Sequence, residues 1–200
     1  TEKCLQCDPC AIMEGIAGAG AFSDGKYIIS TEYGGWLPDF MPASQVMEYI
    51  EQADSILMRF GAQQERFIPD DELKRLCLRY DLHMQQAQLK HLGTDANYRT
   101  MMRLVEELRS RVQIATLCTV TDVSRDSHEV FFTCQGQKHS VKADKIVFAV
   151  GRAGSRMFLD WCRRHQVSCT NNQVDIGVRV ELPAMVWEHF SSRVYEPKIL

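Results

Sequence analysis

The hydrophobic period of this chain changes once, near residue 113, and that change limits the fold more than any other feature. Before it, apolar residues recur at helical spacing. Val46, Tyr49, Ile50, Ala53, Ile56, Leu57 and Phe60 form one stripe over 44–60, with Gly61 as the stop. Asp70 is placed to cap a second helix with Leu73, Leu76, Cys77 and Tyr80 inward. Thr94 is placed to cap a third, whose expected inner face is Tyr98, Met101, Met102, Val105, Leu108 and Val112. A weak strand is expected between them, over 87–91. After the change, β-type runs take over at 114–123, 130–134 and 138–142, the last two joined across Gln135, Gly136 and Gln137. Residues 145–150, KIVFAV, read as a short strand buried on both faces. The run ends in Gly151-Arg152-Ala153-Gly154-Ser155, which opens a helix carrying Met157, Phe158, Trp161 and Cys162. Residues 174–182, VDIGVRVEL, alternate as a strand, and Pro183 starts another helical turn. The expected class is α/β.

Composition removes several functions. A net charge of −3 and a pI near 6.1 leave no basic face for nucleic acid. No apolar run approaches the roughly 18 residues of a membrane span. At 200 residues, 45% hydrophobic, the chain can bury a real core. It begins Thr-Glu-Lys-Cys and ends Glu-Pro-Lys-Ile-Leu, and we read it as an internal piece of a longer, cytoplasmic protein.

The stretch Gly20-Ala21-Phe22-Ser23-Asp24-Gly25-Lys26 fits G-x-x-x-x-G-K. A triphosphate loop also needs a buried strand before it, a helix after it, and Ser or Thr following the Lys. Residues 10–13 make no convincing strand, Tyr27 holds the hydroxyl position, and YIISTEYGGW is β-branched and then broken by glycines. The triphosphate reading fails. Gly15, Gly18, Gly20 and Gly25, with alanines at 17, 19 and 21, leave two readings: a tight surface loop, or backbone that lets a ligand approach closely. The Gly151–Ser155 turn adds backbone donors at a helix N-terminus, where an anion is favoured.

Five segments occur in order: GAGAFSDGK (18–26), HLGTD (91–95), AVGRAGS (149–155), VDIGVRVELP (174–183) and YEPKI (195–199). Together with CLQCDPC (4–10) they resemble the bacterial FAD-dependent dehydrogenases, a largely uncharacterised family with the two-dinucleotide-binding-domain flavoprotein fold. The resemblance implies a partial Rossmann-like FAD/NAD(P)-binding domain with a β-meander and the start of a substrate-side domain. It implies FAD as cofactor, NAD(P) as a further dinucleotide partner, and a small-molecule substrate. Residues 1–42 would be a Cys/Gly-rich loop of the FAD domain. Residues 43–168 would carry its helices, meander and last strand, and 169–200 the second domain. Gly18, Ala19, Gly20, Ser23, Asp24 and Lys26 would follow the pyrophosphate toward the flavin. Val120 would lie near the adenosine half, with Gly151 and Arg152 beside the cofactor. One departure is large: the G-x-G-x-x-G unit of such folds has no counterpart here, since Gly15, Gly18 and Gly20 run G-x-x-G-x-G. The chain is therefore expected to purify without colour or to bind FAD weakly.

Cys4, Cys7 and Cys10 form C-x-x-C-x-x-C, but Glu14 stands where an iron–sulfur run places its fourth Cys. Metal binding, thiol redox chemistry and structural thiols all stay open for them, so a thiol- or metal-based redox module is one alternative function. A non-catalytic nucleotide-binding domain is the other. The cysteines at 77, 118, 134, 162 and 169 read as small buried thiols. His91, at a strand-to-helix junction, and Lys26 are the catalytic candidates. No Ser–His–Asp or paired-carboxylate pattern supports hydrolysis.

Overall fold

In the computed structural model, which describes residues 4–7, 10, 12–68, 70–85, 87–171, 174 and 176–200, helix and strand are mixed and every strand pairing is antiparallel. The chain divides into two compact units, each assembled from separated stretches: Thr1–Ala19 with Leu108–Ile176, and Gly20–Glu107 with Gly177–Leu200. No helix among the described residues is long and apolar enough to cross a membrane.

The first unit holds a meander, β3 (Cys118–Ser124), β4 (Glu129–Cys134) and β5 (Gln137–Lys142), in the order β3-β4-β5. β4 and β5 turn across Gln135 and Gly136, because Cys134 pairs with Gln137. A register shift between Val120 and Asp122 leaves Thr121 out of the ladder. Helix α4 (Ser155–Arg164) docks on β3 through Trp161, whose Nε1 donates to the Val123 carbonyl at 2.6 Å. Arg164 adds an ion pair to Asp122 at 3.0 Å.

Residues 145–150 make no strand. Phe148 packs on Phe158 and Trp161, each 4.8 Å between ring centres, while Val147 is 86% exposed. A strand buried on both faces needs a neighbour at each edge, and no described residue supplies one. Residues 176–182 are likewise outside any sheet, with Ile176 94% and Val178 89% exposed. Asp175, in the same run, lies outside the described residues. Alternation marks where a sheet face would be buried, but it does not supply the partner strand.

The second unit is organised around β1 (Lys26–Ile29) and β2 (Gln88–His91), paired antiparallel. α1 (Ala43–Arg59), α2 (Asp71–Arg79), α3 (Thr94–Arg109) and α5 (Ala184–Ser191) fall where the periodicity and Pro183 place them. Asp70 caps α2, its Oδ1 accepting from the Glu72 and Leu73 amides at 2.9 Å. Leu73, Cys77, Met84 and Val194 form the core cluster, with Phe190 and Ile199 against it.

Two inner faces differ from expectation. On α2, Leu73 and Cys77 are buried but Leu76 and Tyr80 are exposed, Tyr80 to 72%. On α3 the buried residues are Asn97, Thr100 and Val105, while Tyr98 and Leu108 face solvent, as does Val112 beyond the helix end. The polar residues win because Asn97 has carbonyls to bond. Nor is Thr94 the cap: it is already helical, and the Gly93 carbonyl accepts from the Asn97 amide at 3.0 Å. Of the five scattered cysteines, Cys77 and Cys162 are buried. Cys118 and Cys134, opposite each other on β3 and β4, are joined as a disulfide, and Cys169 is exposed.

Candidate functional site

In the first unit the structure brings together the two glycine-containing stretches that the sequence singled out. Residues 13–19 and 149–153 line an open cleft of about 1020 Å³. The loop side is held by a turn in which the Gly18 amide donates to the Gly15 carbonyl at 2.9 Å. On the other side, Gly151 takes φ +57°, a left-handed conformation that glycine adopts without the steric cost of a Cβ. Ser155 Oγ donates to the Arg152 carbonyl at 2.7 Å, closing the turn before α4. Gly154 caps α4 with no side-chain acceptor, so the first-turn amides of that helix are not satisfied by a side chain. Gly18, Ala19, Gly151 and Arg152 thus share one cleft, with Met13, Glu14 and Ile16 beside the small residues of the loop and a guanidinium on the turn.

Gly20, Ser23, Asp24, Lys26 and His91 belong to the second unit and have partners of their own there. The β1–β2 register sets Lys26 directly opposite His91, so strand pairing puts the two catalytic candidates side by side. Lys26 Nζ lies 2.7 Å from Glu196 Oε2. That hydrogen bond outweighs desolvation and holds the Lys26 ammonium above its ordinary range. His91 Nε2 is 3.3 Å from Asp24 Oδ2, and its ring packs on Tyr195 with centres 4.4 Å apart. Tyr195 packs in turn on Phe67 at 4.8 Å, and burial raises its hydroxyl pKa. The Asp24 carboxylate thus stands against a ring nitrogen of His91, and Glu196 holds Lys26 as a cation.

Ser23 is spent on its own turn: Oγ donates to the Gly20 carbonyl at 2.8 Å and accepts from the Gly25 amide at 3.2 Å. The Gly20–Gly25 segment is fastened by Asn97, which sequence reasoning missed. Asn97 is 0% exposed, and its Nδ2 donates to the Gly20 carbonyl at 2.6 Å and to the Ala21 and Ser23 carbonyls at 3.4 Å. Tyr27 donates its hydroxyl to Asn97 Oδ1. Gly25 explains itself here: a Cβ would stand 2.8 Å from Asn97 Cβ, and φ is +67°. Its glycine serves that side chain.

Asp54, Arg66 and Lys90 were missed as well. Asp54 is 3% exposed on α1; its Oδ1 meets Lys90 Nζ at 2.7 Å and its Oδ2 meets Arg66 Nη2 at 2.9 Å. Its signal was available, because an acid at 54 falls within the 46–50–57 apolar stripe. Asn97 likewise sits one turn before Met101 and two before Val105.

Val120 pairs with Phe132 within the β3–β4 ladder. Cys4 and Cys7 are exposed and Cys10 is half-buried. Among the described residues no group of three or more His, Cys, Asp or Glu side chains is arranged to hold a metal. Set against protein-family models, curated proteins and solved structures, the chain matches none of them.

Proposed function

We propose that the chain is part of an FAD-dependent oxidoreductase, with the cleft of the first unit as its dinucleotide site. The observation that carries this reading is the convergence of 13–19 and 149–153 on one cleft. The residues suit a diphosphate. Gly15, Ala17, Gly18 and Ala19 leave backbone accessible along a loop wall that also carries Met13, Glu14 and Ile16, and Arg152 supplies a cation from the Gly151 turn. A volume near 1020 Å³ stands just above the roughly 300–1,000 Å³ of ordinary ligand clefts, which suits an extended ligand. Bound FAD supplies the hydride and electron chemistry, exchanged with a small-molecule substrate and an NAD(P)-type partner.

In this reading Gly18, Ala19, Gly151 and Arg152 hold the cofactor. Lys26, held as a cation by Glu196, has no part in that cleft.

The test is an FAD titration of the purified chain, followed by flavin fluorescence. Saturable binding displaced by ADP and weakened by R152E is expected. A signal that never saturates, or one that R152E leaves unchanged, overturns the assignment.

A further inference from the structure

The second unit holds a cavity that the flavin reading does not use. It lies between β1, residues 30–38 and α1, and measures about 400 Å³. Protein interiors are close-packed, with few voids larger than a water molecule. Here, however, Val46, Ile50, Ala53 and Leu57 of α1 line open space opposite Ile28. The exposed lining residues, among them Leu37 and Ala53, mark the side open to solvent.

The charges of this wall decide what fits. Two charged side chains reach it, Lys26 and Asp54. Each is matched inside the protein, Lys26 by Glu196 at 2.7 Å and Asp54 by Lys90 at 2.7 Å and Arg66 at 2.9 Å. Tyr33, also in the wall, already carries Lys198 over its ring at 3.6 Å. An entering ion would be desolvated against a mostly apolar wall with no free counter-ion to meet it. An uncharged apolar molecule would lose nothing of that kind and would gain contact with the aliphatic wall.

We propose that this cavity is a binding site for a small, neutral, apolar molecule of one or two rings. Its walls are set before the ligand arrives: β1 is fixed by its pairing with β2, and α1 by the ion pairs of Asp54. The site lies wholly in the second unit and requires no flavin.

The test uses the full chain without FAD and two probes of one shape, 2-naphthol, neutral near pH 7, and 2-naphthoate, an anion. Binding is read from amide ¹⁵N–¹H shifts. We expect saturable shifts confined to 26–38 and 46–57 with 2-naphthol, and affinity for 2-naphthoate lower by about tenfold or more. A53F, which adds a ring to the wall, should abolish the 2-naphthol shifts while circular dichroism stays native. If A53F does not fold, the two-probe comparison on the unaltered chain decides alone. Absent or scattered 2-naphthol shifts, equal or tighter binding of 2-naphthoate, or undiminished binding to folded A53F overturns the proposal.

Discussion

Lys90 Nζ sits 2.7 Å from Asp54 Oδ1, with the two side chains 1% and 2% exposed. The contact lacks the alignment of a hydrogen bond, so the ammonium depends on charge attraction alone. Removing Asp54 strands the Lys90 ammonium in a medium that cannot solvate it, whereas without Lys90 the carboxylate keeps Arg66. D54L should therefore cost about 3–5 kcal/mol in urea unfolding and K90M less, whereas D54L/K90M should recover much of the D54L loss. A double-mutant cycle showing additive effects would contradict this.

Asn97 ties the Gly20–Ser23 carbonyls to α3. N97A removes the donor to the Ala21 and Ser23 carbonyls and the acceptor of the Tyr27 hydroxyl, leaving Gly20 with Ser23 alone, which should cost about 1–3 kcal/mol. The Leu92 and Gly93 amides, which donate to Gly25 and Asp24, should then exchange hydrogen faster, and Y27F should do the same more weakly. Unchanged exchange in N97A would refute the role.

Leu73 is 1% exposed at the centre of the core cluster. L73A should lower stability by about 2–5 kcal/mol, as lost burial and a residual cavity combine. L76A, on the exposed side of α2, should change it by less than about 1 kcal/mol.

Two carboxylates are held below their ordinary values. Glu51, ordinarily near 4.5, is lowered mainly by its hydrogen bond to Arg66. Asp70, ordinarily near 3.8, is lowered mainly by the Leu73 amide and then by Arg193. Because the unfolded chain binds these protons more readily, the stabilisation is present in full above the ordinary values. It is lost as pH falls through the depressed ones. Unfolding midpoints should therefore drop on the acid side of about pH 4, and E51Q and D70N should each flatten that limb while lowering stability near neutrality.

Cys118 and Cys134 face each other across β3 and β4 as a disulfide. Denatured without reductant, the chain should titrate two thiols fewer than after reduction. Equal counts would show a dithiol, as a reducing cytoplasm favours.

Local signals made α1, α2 and the β4–β5 hairpin readable, because periodicity, the Asp70 cap and the turn residues all act within a few positions. The meander was readable for the same reason. What failed was non-local. Residues 145–150 and 174–182 carry strand chemistry without paired neighbours, and pairing is a property of two segments. The glycine loop and the Gly151 turn were each visible, yet only folding shows that they share a cleft. Asn97 and Asp54 stood in apolar stripes as apparent defects, and their partners come from 12 or more residues away: Gly20 and Ser23 for one, Arg66 and Lys90 for the other.

The segment 193–200 returns to the opening elements of its unit. Arg193 grips Asp70, Glu196 meets Lys26 across 170 positions, and Met84 bridges Ile199. Residues 108–176, which belong to the other unit, are made in between. During synthesis the core around Leu73 must wait for Val194 to emerge before it can close, at roughly 5–20 residues per second. For those seconds β1, β2 and the first three helices stand half-built on the ribosome, with apolar surface open to chaperones or to misassociation.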